Sequence, residues 1–488
     1  MKFLKNKWFW ISLPFIAVSL TLVVSDMARR FIIYSPTMLA AASAKIACSS
    51  VFVMNRDPEE VLARDIKEFY GGLMKVSNIS FDMEEKSVTG TVLGVIARKA
   101  IYRPGVGCTV LIDVEKETLL AQAEGITEAV SVHRPEVWPK GDTVLLSKDD
   151  TSVDWVALET AIDGAFEDNT ENKTIDTRAI IVVKDGKIIA ERYAQPFGPD
   201  TRFLGWSASK SVMSALIGTM VMDGKLQLDA PAPVAEWRAE GDPRRKISLS
   251  HLLTMSSGLE FSEPYIPNND STDMLFKSPR MGDFAASKPL YKEPGSFWYY
   301  SSGTTNLLGR IFFETAGGTL QASHSLAHKR LFEPLGMTSA MFEPDTSGAF
   351  VGSSYFYATA RDWARFGLLY LNDGKVGDKQ ILSKEWVDYS HEPIEQAPRR
   401  EYGAQFWLNA GNPDESLNLG PKLPDVPRDY YMASGYNNQH VGIVPSKNAI
   451  VVRLGWTTLG SSFDLNGHFA AILNALPVAA PIVAHNSE

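Results

Sequence analysis

The sequence predicts an α/β fold of the α+β kind, in which one sheet is built from distant parts of the chain. Residues 178–193 (RAIIVVKDGKIIAERY) are two apolar, β-branched runs joined by Asp-Gly, the dipeptide that most strongly indicates a β-hairpin. Two further strand-like runs, 440–444 and 449–455, come near the C-terminus and precede a helical pattern over 467–475. Helical and loop patterns fill the sequence in between. Strands near both ends of residues 151–480 therefore predict a single sheet with helices around it.

The composition is that of an ordinary globular protein. The 488 residues are 45% hydrophobic and 22% charged, and 48 Lys and Arg against 57 Asp and Glu give a net charge of −9. A disordered chain is therefore excluded, and the acidic balance predicts no nucleic acid partner. Two cysteines, Cys48 and Cys108, are too few for a disulfide-dense scaffold or a Cys-rich zinc module.

The N-terminus predicts export. Three lysines precede an apolar run over residues 8–24, and one acidic and two basic residues follow it. This pattern is typical of a signal peptide or a signal anchor, with a buried core helix as the alternative. An uncleaved anchor is favoured because the nearest cleavage-like site, 42–44, lies far downstream. The protein would then face the periplasm or exterior, anchored in the inner membrane, or secreted if the segment is cleaved. In such an oxidising compartment Cys48 and Cys108 could form a disulfide, and two unrelated buried thiols are the equal alternative.

The chain divides into three regions by its patterns. They are a signal anchor or signal peptide (1–25), an N-terminal accessory region (26–150) and a main domain (151–480). Within the accessory region, residues 57–69 have an acidic first turn and helical spacing, and residues 87–102 are rich in β-branched residues and predict a strand. A Trp-Pro-Lys-Gly-Asp turn at 138–142 suggests the boundary, and a new helix is predicted to start near Asp154.

The chemistry-bearing residues begin at a Ser-x-x-Lys motif. Ser207 and Lys210 open a helical pattern that stops before Gly224, and residues i and i+3 of a helix lie on the same face. The lysine amine can therefore reach the serine hydroxyl, which becomes a nucleophile when a neighbouring base removes its proton. Burial or positive potential must lower the lysine pKa for this task, and the N-terminal end of the helix acts in that direction. Taken alone the motif favours the alternative, a surface helix capped by Ser with a solvated Lys.

Other segments in the same order make the motif specific. They are VVKDGKIIAERY (182–193), ISLSHLLTMSSGL (247–259), EPGSFWYYSSGTTNLLGRI (293–311), LFEPLGMTSAMF (331–342), ATARDWARFGLLYLNDG (358–374) and SGYNNQHVGIVP (434–445). With them, residues 155–475 resemble the serine β-lactamase-related hydrolases of the class C β-lactamase and D-alanyl-D-alanine carboxypeptidase type. The resemblance implies a β-lactamase/transpeptidase-like fold, with an antiparallel sheet flanked by helices and a mainly helical subdomain.

The resemblance also implies residue roles. Ser207 matches the acylated nucleophile, and Lys210 matches its general base. Tyr300 matches the tyrosine of the family's Tyr-x-Asn motif, which returns a proton to the leaving group; packing in an aromatic core is its alternative role. The backbone N–H groups of Ser207 and Gln439 are expected to form the oxyanion hole.

Two departures from the family pattern bear on the substrate. Ser302 stands where the Tyr-x-Asn motif has Asn, which resembles the 6-aminohexanoate-oligomer hydrolase branch, whose members act on linear amides and often on small esters. The third motif, normally Lys or His followed by x-Gly, aligns with residues 436–438, where Tyr436 supplies no charge for a substrate carboxylate. Ser302, Tyr436, Asn438 and the loop residue Tyr265 are the candidate substrate-binding residues.

Other polar residues receive ordinary interpretations. Glu263 and Asp273 share the loop of Tyr265, and for all three an uninvolved loop role is favoured over a role in the pocket. His324 and His328 have the i, i+4 spacing of a metal pair, but no acidic third ligand is evident, so no metal is predicted.

The sequence therefore predicts an exported serine hydrolase that cleaves amide or ester bonds of small substrates through an acyl-enzyme and needs no cofactor. A D-alanyl-D-alanine carboxypeptidase or weak β-lactamase is the alternative within enzymes. A catalytically silent cell-envelope binding scaffold is the alternative of another class. Its expected partners are a small-molecule amide or ester and, through residues 1–25, a membrane. The natural substrate and the oligomeric state are not predicted.

Overall fold

The computed structural model describes residues 35–66, 77–128, 133–167, 175–458 and 461–478. The predicted targeting segment lies outside these residues. Within them, Ser35–Val53 is long and apolar enough to cross a membrane, and 83% of its most apolar window is buried inside the protein. This helix is separate from the apolar run at 8–24.

The strands form one central sheet and three smaller ones. In chain order they are β1 (Ser77–Asp82), β2 (Ser87–Val92), β3 (Ile96–Arg103), β4 (Gly107–Val110), β5 (Thr177–Lys184), β6 (Lys187–Tyr193), β7 (Arg202–Leu204), β8 (Met341–Phe342), β9 (Phe356–Thr359), β10 (Lys375–Val376), β11 (Lys379–Gln380), β12 (Trp407–Leu408), β13 (Tyr431–Gly435), β14 (Gln439–Val444) and β15 (Ala449–Gly455). The central sheet is antiparallel and has the order β12-β13-β14-β15-β5-β6. Strands from both ends of the main domain thus share one sheet, which confirms the predicted fold class.

Helices pack on both sides of this sheet. In chain order they are α1 (Ser35–Cys48), α2 (Pro58–Val61), α3 (Lys116–Ala121), α4 (Trp155–Phe166), α5 (Ser209–Met222), α6 (Leu249–Leu253), α7 (Asp270–Lys277), α8 (Met281–Ala286), α9 (Ser302–Ala316), α10 (Leu320–Ala327), α11 (Glu333–Leu335), α12 (Ala360–Leu371), α13 (Lys384–His391) and α14 (Leu465–Asn474). Alternate residues of β5 enter different cores, with Ile181 and Val183 on the face that packs against α12 and Ile180 and Val182 on the face that packs against α4 and α14. The period of two along a strand accounts for this division.

The predicted local elements are confirmed with small corrections. The hairpin at 178–193 turns at Asp185 and Gly186, which both have positive φ (49° and 73°), as a tight hairpin turn requires. The helix expected near Asp154 begins at Trp155 with Asp154 as its N-cap. Residues 87–102 form two strands, β2 and β3, because a turn interrupts the β-branched run.

An N-terminal layer, residues 35–66 and 77–128, packs on the main domain. Its helix α1 lies on the sheet β1-β2-β3-β4, and Gly90 of β2 allows this close approach, since a Cβ there would lie 2.3 Å from the Ala40 carbonyl oxygen. Cys48 at the end of α1 forms a disulfide with Cys108 of β4. The bond therefore joins the helix of this layer to its sheet.

Buried polar contacts join the layer to the main domain. The carboxylate of Glu343 accepts hydrogen bonds from the Ser49 hydroxyl (2.8 Å) and the Cys108 backbone N–H (2.6 Å). The Lys45 ammonium forms an ion pair with the same carboxylate. These groups are nearly inaccessible to water, so their mutual satisfaction is required for the layer to dock.

Candidate active site

Ser207 lies on a constrained turn at the start of α5. It is the middle residue of a 3₁₀ turn, Trp206–Ala208, directly before Ser209–Met222. Trp206 has a φ of 46°, which is rare for a bulky residue, and its buried indole packs against the rings of Tyr436, Trp456 and Tyr355 at centroid distances of 5.8–6.4 Å. This packing holds the backbone in a strained conformation and leaves the Ser207 side chain partly accessible.

Lys210 contacts Ser207 from one helical turn below. Its Nζ lies 3.1 Å from the Ser207 Oγ, 3.0 Å from the Ser302 Oγ and 3.0 Å from the Ser353 carbonyl oxygen. The side chain is buried, and this burial lowers the pKa of Lys210 to about 8, while the negative charge of Glu263 acts in the opposite direction. The amine is therefore a base that is partly neutral near physiological pH.

Tyr300 approaches Ser207 from the other side. Its phenol faces the Ser207 hydroxyl, which acts to lower the phenol pKa, and its ring centroid lies 5.0 Å from the Lys210 Nζ. The ring packs edge-on against Tyr402 at 5.9 Å and beside Trp407 at 5.2 Å. Tyr300 thus occupies both expected environments, since it belongs to an aromatic cluster and also reaches the serine. Burial raises its pKa well above 10, so the phenol keeps its proton.

Ser302 and Glu263 contact each other next to Lys210. Ser302 is the first residue of α9, and Ser301 caps this helix by accepting from the Thr304 N–H. The Ser302 backbone N–H donates to one carboxylate oxygen of Glu263 (2.7 Å), and its hydroxyl lies 2.6 Å from the other. Glu263 therefore belongs to the site, in contrast to the loop role expected for it.

Two tyrosines cover the Ser302 side. Tyr265 and Tyr436 stack with centroids 5.8 Å apart and an interplanar angle of 18°. Burial raises the pKa of Tyr265 above the usual value of 10, while the nearby hydroxyls of Ser302 and Ser354 act in the opposite direction. Both residues thus lie where the sequence expected substrate-binding groups.

The side chain of Gln439 stabilises the hairpin between β13 and β14. This residue begins β14, and its side-chain amide donates to the carbonyls of Tyr436 and Asn437 in the turn and of Gly455 at the end of β15. The residue of the hairpin that approaches the serine is Gly435, where a Cβ would lie 3.0 Å from the Ser207 nitrogen. The oxyanion role expected for the Gln439 N–H stays a prediction, and the approach of Gly435 makes the next N–H, that of Tyr436, a second candidate.

Asn438 contributes to the turn of that hairpin. It has a φ of 61° and Asn437 a φ of 59°, so both adopt the left-handed conformation that Asn tolerates better than most residues. The structure records no contact between the Asn438 side chain and the other candidate residues in the ranges it describes. Its substrate-binding role stays a prediction.

The histidine pair predicted from its spacing lies on α10 and the turn that follows it. His324 and His328 stack at 4.2 Å, and burial lowers the pKa of both rings. Within the described ranges, no group of three His, Cys, Asp or Glu side chains is arranged to hold a metal ion. His440 is buried in β14, and its Nδ1 lies 3.2 Å from the Ser434 hydroxyl.

Comparison with known proteins agrees with this geometry. The profile of the Beta-lactamase family matches residues 162–474. The 6-aminohexanoate-dimer hydrolase of Paenarthrobacter ureafaciens is 23% identical over 291 residues, which cover 57% of this chain and 72% of the relative. Esterase EstB of Burkholderia gladioli is 28% identical over 214 residues, covering 39% of this chain and 53% of the relative. A solved structure named "Putative 6-aminohexanoate-dimer hydrolase from Bacillus anthracis" has a TM-score of 0.53 and 20% identity, covering 68% of this chain and 88% of that one; it is similar in fold.

Proposed function

Because the chain belongs to the beta-lactamase family, as a serine hydrolase of that family, we propose that it cleaves amide or ester bonds of small substrates through an acyl-enzyme on Ser207. The observation that carries the proposal is the contact of the Ser207 hydroxyl with the buried Lys210 amine at 3.1 Å, with the Tyr300 ring 5.0 Å from the same amine. A base and an acid on the same hydroxyl are what an activated serine needs.

The reaction proceeds in two halves. Neutral Lys210 takes the hydroxyl proton of Ser207 as its oxygen attacks the substrate carbonyl carbon, and a tetrahedral oxyanion forms. The bond to the leaving amine or alcohol then breaks, and Tyr300 donates a proton to that group and regains one from the Lys210 ammonium. Water next attacks the acyl-enzyme with Lys210 as base, which releases the carboxylic acid and restores the Ser207 hydroxyl.

The oxyanion is held by the Ser207 N–H and by the N–H of Tyr436. Main-chain groups along a strand point alternately to its two edges. The Tyr430 carbonyl accepts from the Asn409 N–H on the β12 side of β13, so the even-numbered residues of β13 face that side. Strand β12 is two residues long and pairs only with Tyr431 and Met432 of β13. The turn that carries Ser207 contacts the rest of β13. The N–H of Tyr436, directly after Gly435, is therefore directed toward Ser207.

The charges of the site favour neutral acyl groups over β-lactams. A penicillin or a D-alanyl-D-alanine peptide carries a carboxylate that needs a cation near the third motif, and residues 433–438 (ASGYNN) contain none. The carboxylate of Glu263 would repel such a group close to Ser302. The amide and ester hydrolases among the relatives agree with this choice.

We place the protein outside the cytoplasm, anchored by residues 1–25. The Cys48–Cys108 disulfide supports an oxidising compartment. Cleavage at 42–44 would cut the buried helix α1, and Ala40, Ala42 and Ala44 are all inaccessible in it, which supports an anchor that is retained.

Intact-protein mass spectrometry tests the proposal. The full chain in detergent micelles is exposed to a fluorophosphonate and, separately, to penicillin. We expect a fluorophosphonate adduct that maps to Ser207, no penicillin adduct, and hydrolysis of small esters or amides that is lost in Ser207→Ala and Lys210→Ala. A folded Ser207→Ala protein that keeps its hydrolytic activity would overturn the proposal. A stable penicillin adduct would favour the carboxypeptidase reading, and no adduct with either reagent would favour a silent scaffold.

A further inference from the structure

Glu263 is a partly buried carboxylate to which the reaction described above assigns no role. It does not touch Ser207, and both of its oxygens face Ser302, at 2.7 Å from the backbone nitrogen and 2.6 Å from the hydroxyl. Burial raises the pKa of Glu263 above its usual range, and the nearby Lys210 charge and the two Ser302 donors offset only part of this rise. A backbone N–H can only donate, so its contact with Glu263 requires an acceptor oxygen there.

The carboxylate fixes the direction of the Ser302 hydroxyl. The Ser302 hydroxyl has a single hydrogen, and this hydrogen is donated to Glu263 at 2.6 Å. The lone pairs of the Ser302 oxygen are then left for donors, and the Lys210 amine lies 3.0 Å from that oxygen. Ser302 is thereby turned into an obligatory acceptor toward the lysine.

This direction determines where the lysine lone pair points. A neutral amine has two hydrogens and one lone pair. The Ser353 carbonyl oxygen, at 3.0 Å, accepts one hydrogen, and the Ser302 oxygen accepts the other. The lone pair of Lys210 is left facing the third neighbour, the Ser207 hydroxyl at 3.1 Å, as removal of its proton requires.

We infer that Glu263 is a positioning residue for the base: by holding the hydroxyl hydrogen of Ser302, it directs the lone pair of neutral Lys210 to Ser207. The inference rests on the proposed function, in which Lys210 is that base. It also explains why a serine serves at position 302. An asparagine carbonyl is an acceptor by itself, whereas a hydroxyl can donate or accept and needs a second residue to decide which.

Electrostatics gives the inference an independent readout. Tyr300 and Tyr265 face the lysine region as neutral phenols, and among the residues that the structure describes, Glu263 is the one charge that acts on the Lys210 pKa, which it raises. Replacing Glu263 with a neutral residue removes this effect. The acid limb of the activity profile should therefore move to lower pH, although the residue does not contact the nucleophile.

The test compares Glu263→Gln with Glu260→Gln in the full chain. Glu260 is an exposed acid three residues earlier in the same loop, which makes it a matched control. The glutamine amide would donate to the Ser302 oxygen, and the freed hydroxyl hydrogen would then compete for the Lys210 lone pair. We expect Glu263→Gln to lower kcat by about tenfold or more, a part of the 10²–10⁴ that a positioned base contributes, and to shift the acid limb downward, with Glu260→Gln like the parent. An unchanged kcat, or a lower kcat with an unmoved limb, would overturn the inference.

A second variant covers the case in which Glu263→Gln does not fold. In Ser302→Asn/Glu263→Ala, the smaller residue makes room for an asparagine whose carbonyl accepts from Lys210 directly. This protein should recover most of the activity that Glu263→Ala alone loses, and no recovery in the folded protein would contradict the inference. Ser207→Ala and Lys210→Ala separate the two levels: if both abolish activity while the Glu263 variants behave like the parent, the positioning role alone has failed.

Discussion

The pH dependence of acylation follows from the burial of Lys210. Its pKa is lowered from 10.5 to about 8, and the base acts only when neutral. At pH 7 about one amine in ten is then neutral, against about one in 3,000 for an unperturbed lysine, so burial supplies roughly a 300-fold gain in active base. We expect kcat/KM to rise about tenfold per pH unit below pH 8 and to level off above it.

A chromogenic nitrophenyl ester measures this limb directly. Nitrophenolate leaves without a proton, so the profile reports the base and not Tyr300. Burial raises the pKa of Tyr300 well above 10, which also keeps its ionisation out of a measurement between pH 6 and 9.5. Because kcat/KM reports groups of the free enzyme, the midpoint is to be compared with the pKa of Lys210 in the empty site.

Ser207→Ala supplies the background, since hydrolysis by hydroxide also rises with pH. Lys210→Ala should lose both the hydrolysis above this background and the rise of kcat/KM with pH. A corrected profile that is flat across this range, or one whose midpoint lies near 10.5, would refute the assignment of a buried, partly neutral lysine as base.

Three further predictions concern other parts of the structure. Gly435→Ala would place a Cβ 2.0 Å from a backbone carbonyl oxygen and displace the oxyanion donors, so we expect kcat to fall by about 10²–10³ while the circular dichroism spectrum stays unchanged. A normal kcat would contradict the placement of the oxyanion hole. Cys48→Ser/Cys108→Ser removes the disulfide, which joins residues separated by 60 positions, and we expect the free energy of unfolding in urea to fall by about 4 kcal/mol. An unfolding free energy equal to that of the parent would show that the bond does not restrain the unfolded chain. Lys45→Met leaves the Glu343 carboxylate buried without its cation, so we expect the free energy of unfolding to fall by about 3–5 kcal/mol and to be largely recovered in Lys45→Met/Glu343→Gln. Equal stability of the single and double variants would exclude the ion pair as the cause.

Local patterns predicted the fold where a single physical rule decides the outcome. Asp185-Gly186 supplies the positive φ values of a hairpin turn between two β-branched runs. The i, i+3 spacing of Ser207 and Lys210 brings their side chains within hydrogen-bond distance as soon as a helix forms. None of these results depends on distant residues, which is why one sequence was sufficient.

Groups brought together by tertiary structure were not predictable in the same way. Glu263 precedes Ser302 by 39 positions, and its carboxylate is like any loop acid until burial places it on a serine. Ser353 contributes only a backbone carbonyl, which has no side-chain signature. The alternative oxyanion donor at Tyr436 was not predictable for a similar reason, because the edge of β13 that is open to Ser207 depends on β12 ending after two residues.

The N-terminal layer has a closer relation to the site than its separate sequence pattern suggests. Glu343, on which the layer docks, begins the segment that leads to the Ser353 carbonyl on Lys210. Lys45 of the layer also lies 4.1 Å from the ring centroid of Tyr355, which packs against Trp206. A tryptophan keeps a positive φ only where the packing around it stabilises that conformation, and Tyr355 is one of the residues that pack against Trp206. The sequence pattern thus changes near residue 150, but Lys45 from before that position contacts Tyr355, which packs against the turn that carries Ser207.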